Sequence, residues 1–137
     1  MIIRKARKSD ISDCARMSMI PEFERGDEYP DEEFLLRLLK GGLFFVAEEE
    51  GKVVGYIGAF ILTSKEVYLD LLTVDENFRG NGIGRKLLTF LKKDMKAKGI
   101  KEFFLIASSS NKNTLKFYEA NKLNRKKDPQ ILFSGRL

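Results

Sequence analysis

Apolar and polar positions divide this chain into short alternating and helical segments. IIRKAR (residues 2–7) has strand length and predicts a first strand. Ser9 and Asp10 then stand as helix caps before ISDCARMSMI (11–20), where Ile11, Cys14, Ala15 and Met19 fall near helical spacing, and Pro21 ends the run. PEFERGDEYPDEE (21–33) reads as a loop, and DEEFLLRLLK (31–40) as a second helix closed by Gly41 and Gly42. LFFVAEEEGKVVGYIGAFIL (43–62) holds two apolar runs meeting at Glu50-Gly51, which is a hairpin pattern. EVYLDLLTV (66–74) alternates as another strand, so the middle of the chain predicts an antiparallel meander.

The clearest helix is GIGRKLLTFLKKDMKAKG (82–99). Ile83, Leu87, Leu88, Leu91 and Met95 make one apolar stripe with lysines opposite, and Gly99 stops it. KEFFLIAS (101–108) predicts a strand. NKNTLKFYEANK (111–122) predicts a shorter helix opened by an Asn cap. LNRKKDPQILFSGRL (123–137) predicts a last pair of strands around Asp128-Pro129. The order is β-α-α-β-β-β-α-β-α-β-β in a single domain over residues 1–137, without linker, repeat or low-complexity segment.

Composition narrows the chemistry. With 43% hydrophobic and 33% charged residues, the 137 residues can bury a core. The net charge of +5 fits an anionic cofactor, a nucleic acid, or a merely solubilising surface. Cys14 is the only cysteine, so no internal disulfide and no cysteine-based zinc site is available. The absence of histidine removes Ser-His-Asp and Cys-His catalysis and the commonest metal ligand. A general base must be a carboxylate, a water, or a shifted lysine or tyrosine. MIIRKARKSD lacks the apolar core of a signal peptide, and YIGAFIL is too short to span a bilayer, so a cytoplasmic location is expected.

NFRGNGIGRKLL (77–88) crowds Gly80, Gly82 and Gly84 behind Arg79 at a helix start. The spacing G-x-G-x-G is not the dinucleotide fingerprint, and no Walker sequence is present. Two readings stand: a plain strand-to-helix turn, or a phosphate cradle. In the second, N–H groups of Asn81, Gly82, Ile83, Gly84 and Arg85 converge on an anion at the positive end of a helix dipole, with Arg79, Arg85 and Lys86 beside it.

These residues resemble the GNAT superfamily of N-acetyltransferases. LLTVDENFRGNGIGRKLL is similar to the acetyl-CoA motif R/Q-x-x-G-x-G/A through Arg79, Gly82 and Gly84. NKNTLKFYEANKL is similar to N-x-x-A-x-x-L-Y-E-x-x-G-F through Asn111, Phe117, Tyr118 and Glu119, with Thr114 for the usual alanine and Lys122-Leu123 for Gly-Phe. The resemblance covers nearly the whole chain. It implies an α+β fold (an α/β/α sandwich) with a mixed, mostly antiparallel sheet of about seven strands, four flanking helices and a splayed central strand pair. It implies acetyl-CoA as donor, no metal, and direct acetyl transfer to a primary amine in a ternary complex. Leu72, Thr73 and Val74 would border the pantetheine arm, with the Leu72 N–H polarising the thioester. Arg79, Gly80, Asn81, Gly82, Ile83, Gly84 and Arg85 would hold the pyrophosphate. Asn111 would cap its helix and touch the cofactor. Tyr118, otherwise a packed core tyrosine, would protonate the leaving thiolate.

The base is less determined. Asp70 alternates with Tyr68 and Leu72 and is one candidate; Glu22, Glu24 or a water are others. The acids between Glu22 and Glu33 read either as an exposed polar loop or as a negative rim for a cationic amine. A coenzyme-A-binding module without catalysis is the alternative of the same fold. The lysines of the long helix carry no interleaved aromatic residues, so no nucleic-acid partner is expected, nor a membrane. Monomer and homodimer both fit.

Overall fold

The computed structural model describes residues 1–128 and 130–136. The chain falls into two compact units, Met1–Ile106 and Ala107–Leu137. The first carries a five-stranded sheet in the order β1-β2-β3-β4-β5: β1 (Ile2–Lys5), β2 (Gly42–Glu49), β3 (Lys52–Ile61), β4 (Glu66–Val74) and β5 (Glu102–Phe104). The first four strands pair antiparallel, and β5 joins β4 in parallel. The hairpin turn falls at Glu50-Gly51 as its sequence predicts, both residues taking left-handed backbone at φ 50° and 78°.

Helices α1 (Ile11–Met17), α2 (Glu32–Gly41) and α3 (Ile83–Ala97) belong to this unit. Adjacent β2 side chains point to opposite faces, and both faces are covered. Phe44 packs with Cys14, Leu35, Leu38 and Tyr56 under α1 and α2. Phe45 meets Phe90 of α3, ring centroids 5.1 Å apart. Glycines let the helices close on the sheet: a Cβ on Gly58 would lie 2.5 Å from the Leu38 side chain. α1 is bolted to β1 by Asp10, whose carboxylate accepts from Arg4 at 2.8 and 3.0 Å and from the Arg7 N–H at 2.7 Å. Burial alone would raise the Asp10 pKa, but these donors outweigh it and hold the carboxyl below its ordinary value.

The second unit carries α4 (Lys112–Ala120). Asn111 caps it, Oδ1 accepting from the Thr114 N–H at 3.2 Å. At the other end Lys122 N–H donates to the Glu119 carbonyl and Leu123 N–H to that of Tyr118, the two bonds of a Schellman ending. Lys122 stands where the resembling family has glycine, and it takes the left-handed φ of 70° that a glycine would supply.

Three expectations are corrected. The sheet has five strands among the described residues, against about seven expected, because residues 123–128 and 130–136 are assigned no strand. Pro129 and Leu137 lie outside the described residues. The apolar run ILF is the reason the sequence reads as strand there, yet Ile131, Leu132 and Phe133 are exposed and pair with nothing in the sheet. The strand expected over 101–108 is also reduced to Glu102–Phe104. α1 stops at Met17 rather than running to Ile20, since the Ser18 hydroxyl turns back onto the Cys14 carbonyl at 2.7 Å.

Candidate active site

β4 organises the candidate site. Its parallel pairing with β5 covers only Glu66–Tyr68 against Glu102–Phe104. Past Tyr68, that edge of β4 has no strand partner among the described residues. The other edge stays paired with β3. The Asp75 N–H donates to the Val54 carbonyl at 2.8 Å, which sets the phase of that ladder. Backbone groups alternate sides along an antiparallel pair, so those of Thr73 serve β3 and those of Leu72 and Val74 face the open edge. One of these is already used: the Val74 carbonyl accepts from Arg79 Nε at 3.0 Å.

The register slips once on β4. Gly58 opposes Leu71 and Ala59 opposes Leu69, so Asp70 is the extra residue of a β-bulge. A bulge puts neighbouring side chains on one face. Leu71 lies in the core under α1 and α2, and the Asp70 carboxylate turns the same way to meet Arg25. Asp70 is nearly covered, its side chain 5% exposed, while that of Arg25 is 49% exposed. Arg25 is presented by a tight turn in which its N–H and carbonyl pair with Glu28 at 2.8 and 3.2 Å around Gly26 at φ 65°. Its guanidinium lies 5.5 Å from the Phe34 ring centroid, with Arg37 at 5.7 Å from the same ring. Phe34 meets Phe60 edge to face at 5.7 Å, and Tyr68, opposite Phe60, meets Phe104 at a tilt with ring centroids 5.2 Å apart. Burial, then the neighbouring Asp70 charge, push the Tyr68 phenol above its ordinary pKa.

Val74 leads into the glycine segment. Asp75 caps a 3-10 turn at Glu76–Phe78, and Asn81 Nδ2 donates back to the Phe78 carbonyl at 3.0 Å. Gly80 and Gly82 take φ of 82° and 76°. A Cβ at either would meet no protein atom within 4 Å, so packing does not require glycine there; the left-handed backbone does. Gly82 caps α3 without any side-chain bond, and the first turn holds Gly84, Arg85 and Lys86 but no acid. Basic residues at a helix N-terminus oppose the dipole. This end of α3 therefore carries positive charge that no acid of its first turn balances.

In the second unit, burial pushes the Tyr118 phenol up to about 12. Its ring packs edge to face on Phe117 at 5.1 Å. Among the acids of the 22–33 segment, Glu28, Asp31 and Glu32 line a cavity of about 450 Å³ together with Arg16, Met19 and Tyr29. Sequence reading missed Arg25, Phe34 and Tyr68. No local pattern links Arg25 to a residue 45 positions away; the only sign was a lone arginine within an acidic run.

Residues 10–122 match the profile of the Acetyltransferase (GNAT) family. The chain belongs to that family. Thialysine N-epsilon-acetyltransferase of Mus musculus is 31% identical over 136 residues, which cover 85% of this chain and 80% of that protein. N-acetyltransferase 8B of Homo sapiens is 34% identical over 98 residues, and the match spans 68% of this chain but only 42% of that protein. The aminoglycoside acetyltransferase meta-AAC0020 from an uncultured soil metagenomic sample, solved with sisomicin, superposes with a TM-score of 0.79 at 28% identity over 99% of this chain and 95% of that one. The PaiA N-acetyltransferase of Thermoplasma acidophilum, solved with coenzyme A, gives 0.76 at 26% identity, covering 88% and 87%. The GNAT domain has no helix among its described residues long and apolar enough to cross a membrane.

Proposed function

We propose that this GNAT domain transfers the acetyl group of acetyl-CoA to a primary amine, preferring cationic acceptors, by direct attack in a ternary complex. The observation that carries the reading is the joining of a β4 edge without a strand partner among the described residues to a base-flanked helix start that lacks a side-chain cap. One accepts an extended amide-bearing arm, the other a pyrophosphate. The coenzyme A bound by the Thermoplasma relative supports the same donor here.

In this mechanism the pyrophosphate lies on the N–H groups of Asn81, Gly82, Ile83, Gly84 and Arg85, past the turn at Gly80. The guanidinium of Arg79 adds charge, oriented by its bond to the Val74 carbonyl. The pantetheine arm pairs along Leu72 and Val74, with Thr73 between them tied to β3. The Leu72 N–H polarises the thioester carbonyl and stabilises the oxyanion as the amine adds. The amine nitrogen bonds to the carbonyl carbon, and the carbon–sulfur bond breaks. Tyr118 gives its phenolic proton to the departing thiolate. Before attack, Asp70 takes one proton from the acceptor's ammonium so that a neutral amine adds; the second proton, shed from the nitrogen as the carbon–sulfur bond breaks, replaces the one that Tyr118 gives up. Asn111 holds the start of α4 and with it the placement of Tyr118 on that helix. The products are an N-acetyl amine and coenzyme A.

A cationic acceptor is favoured by the acids lining the cavity beside α1 and by the buried Asp70 carboxylate. The relatives act in the same sense, one on thialysine and one solved with sisomicin. The test is release of free thiol from acetyl-CoA over a panel of amines, varying both substrates. Amine-dependent release with intersecting double-reciprocal lines is expected. Parallel lines would contradict the ternary complex, and no release with any amine would contradict the activity.

A further inference from the structure

The Arg25–Asp70 pair has an arrangement that structural ion pairs rarely need. Asp70 is a bulge residue on a strand, nearly covered, and its one arginine partner arrives from an exposed two-residue turn rather than from a packed element. The guanidinium is held on one side by the carboxylate and on another by the Phe34 ring. A carboxylate beside an aromatic face is a recognition seat for an alkylammonium or guanidinium group. Phe60 and Tyr68 sit next to it, and Tyr68 opposes Phe60 across the strands. The surrounding residues therefore form a cation site, and the cation filling it belongs to the protein.

We propose that Arg25 occupies the seat of the acceptor's ammonium group, so that the amine must displace Arg25 from Asp70 and Phe34 before transfer. This deepens the reading above and rests on it. Arg25 is then a specificity-determining residue. A neutral or anionic acceptor gains nothing at Asp70 that would offset the lost ion pair, whereas an ammonium replaces one charge-assisted bond by another. The turn around Gly26 gives Arg25 a way to leave without disturbing α1 or α2, since its own backbone bonds are made only to Glu28. Arg37 does not share this role: its guanidinium lies 5.7 Å from the Phe34 ring centroid, and among the described residues no pairing with Asp70 accompanies that contact.

The test uses the full chain with Arg25→Gln, Arg25→Lys and the double variant R25Q/D70N. Methylguanidinium chloride is the probe of the vacated seat, against sodium chloride at equal ionic strength. It should raise the melting temperature of Arg25→Gln by several degrees and leave the wild type and R25Q/D70N unmoved. The KM for a primary diamine should fall at least fivefold in Arg25→Gln, and Arg25→Lys should restore most of the wild-type value. An identical response of Arg25→Gln and wild type to the probe, with unchanged KM, would overturn the seat while leaving the acetyltransferase reading intact. Stabilisation of Arg25→Gln alone in a protein that acetylates no amine would keep the seat and overturn the function.

Discussion

At the scale of single residues, the account depends on Tyr118 as a proton donor and on glycines as backbone. Tyr118→Phe should lower kcat by about 100-fold, the ordinary contribution of a general acid, and leave the KM for acetyl-CoA within about twofold. Stopped thiol-release assays would show this; an unchanged kcat would remove the acid role. Burial also makes the tyrosine a reporter of alkaline stability. Burial pushes its phenol up to about 12, above the ordinary 10.0. The neutral phenol is favoured in the fold, so its contribution is complete below pH 10 and is lost as pH rises toward 12. Tyr56 is shifted in the same direction by its burial, so the wild-type loss is shared. Melting curves of Tyr118→Phe should therefore fall less steeply than wild type across that window. Gly82→Ala separates backbone from ligand effects. The left-handed φ makes it cost roughly 1 kcal/mol of stability, while the new Cβ points into the open space where phosphates would lie. Coenzyme A affinity by calorimetry should drop at least tenfold, more than the strain alone explains.

At the scale of elements, local periodicity carried far. α2, α3 and α4 and the β2–β4 meander follow from apolar spacing, Asn or Asp caps and glycine stops, all of which lie within a few residues of what they determine. Non-local pairing was not legible. The bulge at Asp70 depends on how β3 meets β4, and in EVYLDLLTV only the adjacent Leu71 and Leu72 break the alternation, without naming the bulged residue. The segment after α4 shows the same limit from the other side. Its apolar residues predict strands, yet none of its described residues pairs with the sheet. The α4 ending can be read in both. Lys122 departs from the motif, yet the Schellman bonds persist at φ 70°. Lys122→Gly should relieve that conformation and stabilise the protein by about 1 kcal/mol, seen as a rise of a few degrees in melting temperature. Lys122→Ala should give no gain.

At the scale of the whole chain, mild basicity resolves into function at one place. On the proposed reading the charge that matters is the cluster of Arg79, Arg85 and Lys86 around the start of α3, whose first turn holds no acid. Acids gather elsewhere, along the segment that lines the cavity beside α1. An anionic donor and a cationic acceptor would thus be drawn to different surfaces of the unit Met1–Ile106. The most direct measurement is the melting temperature in saturating acetyl-CoA, with NAD as the control for nonspecific binding of a dinucleotide. At about 100 times its dissociation constant a ligand stabilises the fold by roughly 2.7 kcal/mol, a rise of several degrees for a domain of this size. The account predicts that rise with acetyl-CoA and none with NAD. No shift with acetyl-CoA, or an equal shift with both, would contradict it.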